Sequence, residues 1–189
     1  MRLTQKLMRE IAAEERAALG LGPRDSFDPH ALCAEHGIPV YTLADLQEAG
    51  LPVEAVQHFT GIRAPRWSAA LVPLGEARVI IENETHARVR RRSSIAHELG
   101  HDLLEHPFQG VVLGEDHHRQ FDPKVEKEAT FLAGELLVPH AAAERAAFDG
   151  WTNADVAKAF GVSEQFAQMQ MYGQRVRAGR AAARSARTR

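Results

Sequence analysis

The strongest restriction on this chain comes from one helical stretch. It runs from about Thr85 to Glu105 and is closed by Pro107. In its middle sit His97-Glu98-Leu99-Gly100-His101. A helical turn is about 3.6 residues, so His97 and His101 leave the helix on the same face, one above the other. At that separation two imidazole nitrogens can reach a single ion at about 2.0–2.1 Å. Glu98 lies beside His97, where a carboxylate can take a proton from a water next to the metal instead of ligating it. A zinc ion would acidify that water and polarise a carbonyl. The expected chemistry is metal-assisted hydrolysis, with Glu98 as the catalytic group.

A catalytic zinc needs a third protein ligand and an open position. His106 follows on the same helix, five residues after His101, and an unbroken helix turns it well away from the pair; a cation at that C-terminal end is favourable in any case. The next helix is announced by Asp122-Pro123, an N-cap and first-turn proline. It carries an apolar stripe of Val125, Ala129, Leu132 and Leu136 and ends before Pro139. Glu126 and Glu128 both flank that stripe, and geometry leaves both as candidate ligands.

The surroundings read as α+β. Leu3, Leu7, Ile11 and Ala12 recur at helical spacing, predicting a helix over 3–19 closed by Gly20. A short helix follows Asp28-Pro29 and ends at Gly37. Ile38–Leu43 is a strand that Pro39 confines to an edge. A helical stretch spans 52–59. Trp67–Val72 and Ala77–Glu82 are strands joined by Pro73–Glu76, and Ala-Arg-Val-Ile-Ile-Glu is the clearest strand in the chain. Residues 107–121 form a polar loop holding His117 and His118, a histidine pair that reads as solvated and otherwise as a gate or oxyanion partner. Helices follow at 140–148, 153–160 and 163–177. The expected organisation is a metal-binding domain over 1–139, a helical extension over 140–176, and a basic, flexible tail over 177–189.

With 189 residues there is room for one substantial core or a core with a small helical appendage. The net charge of −2 gives no general attraction to nucleic acid or membrane. The single cysteine, Cys33, excludes an intramolecular disulfide, reads as a small core residue, and fits a reducing compartment. No leader-like or membrane-spanning stretch is legible, so the expected location is the cytoplasm, with no membrane partner.

Two runs carry a resemblance. Ser94-Ile-Ala-His-Glu-Leu-Gly-His-Asp-Leu-Leu-Glu-His106 and Glu126-Lys-Glu-Ala-Thr-Phe-Leu-Ala-Gly-Glu-Leu-Leu-Val-Pro139 resemble the paired helices of the ImmA/IrrE metallopeptidases. There the second helix reads Glu-x-Glu-Ala-Asn-x-Phe-Ala-x-Glu-Leu-Leu-x-Pro. The resemblance extends upstream to Val79–Asn83 and the Arg88–Arg92 cluster, and downstream to Asp155–Tyr172, which is similar to the family's helix-turn-helix-like segment. It covers about residues 30–175. It implies a zincin-like fold, one zinc per chain, and Glu126 as the third ligand beside His97 and His101. It also implies a protein substrate, a helix-turn-helix repressor, in stress responses or the control of mobile elements. Two positions depart. The family's Asn is Thr130 here, a hydroxyl able to accept a hydrogen bond from a ligating histidine. The family's Arg-Phe-Thr is Arg92-Ser-Ser94, which removes a packing aromatic.

Tyr172 is a candidate phenol donor to an oxyanion, set against packing its ring on the core. His30, His36, His58, His86 and His140 carry no functional reading. Arg88–Arg92 sit at the unfavourable end of the helix dipole, which calls for a carboxylate partner or an acidic substrate. Arg177, Arg180, Arg184 and Arg187 recur at helical spacing beside the helix pair, but Ser163–Tyr172 offers no Arg or Lys to a base edge or phosphate. Direct nucleic-acid binding is therefore disfavoured. The rival to a peptidase is a non-catalytic, metal-binding regulator that acts by holding a repressor or DNA.

Overall fold

The computed structural model describes residues 3–61, 67–107 and 122–187. The chain divides into two compact units, one formed by residues 29–133 and the other by residues 1–28 with 134–189.

The 29–133 unit is built on a three-stranded sheet in the order β1-β3-β2. β3 (Ala77–Glu82) is central, where an apolar β-branched run is most useful. β1 (Val40–Thr42) lies parallel to it, with Val40 opposite Ile80. β2 (Ala69–Leu74) is antiparallel, with Leu71 opposite Ile80 and Leu74 opposite Ala77. β2 starts and ends two residues later than the sequence predicts, so Pro73 and Leu74 pair and only Gly75-Glu76 turn. Gly75 supplies the positive φ of 62° that so short a turn needs. Pro73 is tolerated because β2 is an edge strand and its missing N–H leaves no gap in the ladder. Pro39, just ahead of the other edge strand, still offers its carbonyl to the Ile80 N–H at 2.9 Å.

α2 (Pro29–Glu35) and α4 (Val53–Thr60) lie close to where the sequence predicts them, and Gly37 has φ 65°. α3 (Leu43–Glu48) was not expected. It is nucleated by a capping box: Asp45 N–H donates to Thr42 Oγ1 while the Asp45 carboxylate accepts from the Thr42 N–H. Those bonds hold the exposed Asp45 carboxyl below its usual range.

α5 (Arg88–Leu103) packs on β2 and β3, and α2 packs on α5. Ile80, Ile95, Leu99 and Leu32 are fully buried. Each such side chain contributes about 1.5–3 kcal/mol relative to exposure. α5 begins three residues later than predicted, because Asn83 organises a turn first. Its Oδ1 accepts from the Thr85 N–H at 3.1 Å and the Thr85 hydroxyl at 2.6 Å, and its amide donates to the Trp67 carbonyl. The arginine cluster at the head of α5 finds its carboxylate: Glu82, buried at the end of β3, accepts two hydrogen bonds from the Arg91 guanidinium. That pairing raises Arg91 above its ordinary value.

α6 (Pro123–Leu137) starts at the expected Asp122-Pro123 signal, where the Lys124 N–H donates to Asp122 Oδ1 at 2.8 Å. The division between the units falls inside α6, between Ala133 and Gly134.

The other unit groups α1 (Gln5–Ala18) with the last turn of α6, α7 (His140–Phe148), α8 (Asn153–Phe160) and α9 (Glu164–Arg187). The sequence placed α1 with the metal-binding part. Arg16 explains the difference: its guanidinium, 2% exposed, donates to the carbonyls of Leu136, Gly22 and Asp25 at 2.6–2.7 Å. α8 opens with a second capping box, Thr152 and Asp155, and closes at Gly161 with φ 64°. α9 runs through the Arg-rich segment to Arg187, about ten residues past the predicted end. Arg175 donates to the Trp151 carbonyl and Arg177 reaches Glu144, both at the exposed surface of this unit. No helix among the described residues is long and apolar enough to cross a membrane.

Candidate metal centre

Two helices of the 29–133 unit bring the predicted ligand atoms together. His97 Nε2 and His101 Nε2 lie 3.1 Å apart. Glu126 Oε2 is 3.1 Å from His97 Nε2, and Glu126 Oε1 is 3.7 Å from His101 Nε2. Of the two glutamates left open by helical geometry, Glu126 is the one that joins the histidines.

The set fits a divalent metal. Tetrahedral bonds of about 2.0–2.1 Å put neighbouring donor atoms roughly 3.3 Å apart, close to these separations. Two neutral imidazoles and one carboxylate are a donor set typical of catalytic zinc. The side chains of His97 and Glu126 are 27% and 34% exposed, so one side of the cluster is open to solvent.

The close approach of α5 and α6 depends on Gly100. A Cβ there would stand 2.7 Å from the Ala129 carbonyl oxygen and 3.1 Å from its Cα. Glycine inside the His-Glu-Leu-Gly-His run thus lets the backbones touch, and the sequence reading had assigned it no task.

Glu98 stands on the same helix, and its Oε2 accepts a hydrogen bond from the Leu71 N–H at 2.9 Å. Leu71 belongs to β2, the edge strand, so the carboxylate is anchored to the rim of the sheet. Nothing local in the sequence announces this pairing across 27 positions. In the last turn of α5, Asp102, its side chain largely buried, pairs with Arg78 of β3.

His106 requires a correction. An unbroken helix would turn it away from the histidine pair, yet its Nδ1 lies 3.1 Å from His101 Nδ1. The helix ends first. Leu104 is the C-cap and Glu105 takes φ 50°; the Glu105 N–H bonds the Asp102 carbonyl and the His106 N–H bonds the His101 carbonyl. This is a Schellman turn, and it folds the chain back over the last helical turn. Pro107 was the available signal, since the residue before proline avoids helical backbone. Burial holds the His106 imidazole below its ordinary value, against the opposing pull of Glu128.

Thr130 Oγ1 lies 3.4 Å from His97 Nδ1. Tyr172 is 74% exposed on α9, so its ring is not packed in the core. Cys33 is buried. His30 approaches Glu82 at 3.7 Å, and His140 Nδ1 accepts from the Gln174 amide nitrogen at 2.9 Å, both within their own units. His117 and His118 lie outside the described residues.

A mixed α+β chain with a two-histidine, one-carboxylate cluster on adjoining helices is the frame of a metallopeptidase. The family model Peptidase_M78, described as the IrrE N-terminal-like domain, matches residues 33–172, and the chain belongs to this family of ImmA/IrrE metallopeptidases. No curated protein matches the chain. Membership in a metallopeptidase family brings with it a metal and a protein substrate.

Proposed function

We propose that the chain is a zinc-dependent endopeptidase with a zincin-like site, in which His97, His101 and Glu126 hold the metal and Glu98 handles the proton. The observation that carries this is the convergence of the two Nε2 atoms and the Glu126 carboxylate from two helices, with Glu98 on the turn between the histidines. Bound zinc would supply Lewis-acid polarisation of the scissile carbonyl and lower the pKa of a water to about 7.

The chain's own residues supply the rest. Glu98 accepts the proton of the attacking water and returns it to the leaving amine. Its anchor on the Leu71 N–H fixes the carboxylate's direction. Thr130 steadies the His97 ring through Nδ1. By resemblance, α8 and the first turns of α9 are the family's helix-turn-helix-like segment, the substrate is a helix-turn-helix repressor, and the setting is cytoplasmic.

The test is cleavage of such a repressor by the zinc-loaded chain. Glu98→Gln keeps the metal and lowers the cleavage rate about 10²–10⁴-fold. A variant that cuts at the wild-type rate would remove Glu98 from the mechanism.

A further inference from the structure

His101 has two ring nitrogens, and the structure gives each a different neighbour. Nε2 faces His97 and Glu126. Nδ1 lies 3.1 Å from His106 Nδ1. The His106 side chain is only 6% exposed, and its other nitrogen, Nε2, lies 3.5 Å from Oε2 of Glu128, whose own side chain is 12% exposed. Among the described residues that buried Nε2 makes no conventional hydrogen bond, and the Glu128 carboxylate is the group it faces.

We propose that Glu128 and His106 form a positioning relay that fixes which nitrogen of His101 carries the hydrogen, and so presents the lone pair of Nε2 to the metal. The inference rests on the reading of His101 as a ligand. Where two imidazole nitrogens meet, one donates and the other accepts, and a neutral imidazole has one nitrogen of each kind. A metal-facing Nε2 must be a lone pair. His101 therefore carries its hydrogen on Nδ1 and donates it to His106 Nδ1. His106 in turn carries its hydrogen on Nε2, pointed at Glu128. A carboxylate only accepts, so the chain has one favourable direction. The opposite sense would turn a lone pair of His106 toward the Glu128 carboxylate inside a nearly closed site, leaving both without a donor.

The relay also distinguishes the two histidines. His97 is braced by a neutral hydroxyl at 3.4 Å, His101 by a ring backed with a carboxylate. The Schellman turn at Glu105 makes this possible, since it carries His106 back over the helix end. Glu128 comes from α6, two residues from Glu126, so one helix supplies both a ligand and the far end of the brace.

The experiment uses the full chain labelled with ¹⁵N, as wild type, His106→Phe and Glu128→Gln. Ring-nitrogen NMR of the metal-free protein reports where His101 carries its hydrogen, and competition with a chelator gives zinc affinity. The expected wild-type spectrum shows His101 with its hydrogen on Nδ1. In His106→Phe, which keeps a ring of similar volume, that preference is lost and zinc binds about 10–100-fold more weakly. Glu128→Gln, matched in size, shifts both readouts in the same direction by less, and it carries the test if the phenylalanine variant does not fold. Unchanged His101 signals and unchanged zinc affinity in either folded variant overturn the relay. Should the wild type take up no zinc, the metal reading falls. The ring spectra of the metal-free chains then decide the relay alone, and a His101 hydrogen on Nε2 in the wild type overturns it.

Discussion

Glu105 holds a backbone conformation, φ 50°, that a side chain resists and glycine accepts freely. It occupies the position after the C-cap of α5, where glycine is the usual residue. Glu105→Gly should therefore raise stability by about 1 kcal/mol, seen as a rise of about 2–4 °C in Tm. A fall in Tm would mean that the glutamate side chain is needed there. At this scale His97, Glu98 and His101 were legible, because one helical turn sets their separation. His106 was not: a glutamate gives no sign of a left-handed cap, so a continuous helix turned the ring the wrong way. The Glu98–Leu71 bond was equally invisible, since a carboxylate reaching the amide of a distant edge strand leaves no trace in local spacing.

Among elements, the crossing of α5 on α6 decides whether a ligand set exists. Gly100 is where the helices meet, with the Ala129 carbonyl in the way of any Cβ. Gly100→Ala should cost about 1–3 kcal/mol as the helices are forced apart. The displacement moves Glu126 away from the histidines, so zinc affinity should fall as well. Denaturant unfolding and chelator competition read the two effects, and an alanine variant matching the wild type in both would show that the crossing can relax elsewhere. Helix positions were well marked by Asp28-Pro29, Asp122-Pro123, Gly20, Gly37 and Pro139, each a start or stop signal with a steric cause. β2 lies two residues later than its apolar run predicts because proline, a common turn residue, is accommodated at position 73 of an edge strand. α3 was missed because its signal, Thr42 capped by Asp45, lies at the end of a strand whose apolar run dominated the reading.

For the whole molecule, sequence order suggested an N-terminal part joined to the metal-binding region and a separate helical extension. The structure instead groups α1 with the C-terminal helices. Two long-range hydrogen bonds from α1 to the end of α6, Arg16 to the Leu136 carbonyl and Arg9 to the Glu135 carboxylate, carry that grouping, and nothing in the periodicity of α1 reveals them. Burial draws Arg16 below its ordinary value, with Asp25 opposing, yet its hydrogen bonds satisfy three backbone carbonyls. Arg16→Leu leaves those carbonyls without their partner and should destabilise the chain by about 2–4 kcal/mol. Equilibrium unfolding checks this, and a loss below about 0.5 kcal/mol would mean that water or a neighbour satisfies the carbonyls instead.

The central claim is that His97, His101 and Glu126 hold one metal ion. Metal content per chain, measured for the wild type and Glu126→Ala after exposure to zinc and removal of the excess, tests it most directly. The account predicts one zinc per chain in the wild type and a large loss in the variant. A wild type that retains no zinc, or a variant that keeps it fully, would contradict the three-ligand site and shift the reading toward a regulator that binds without cutting.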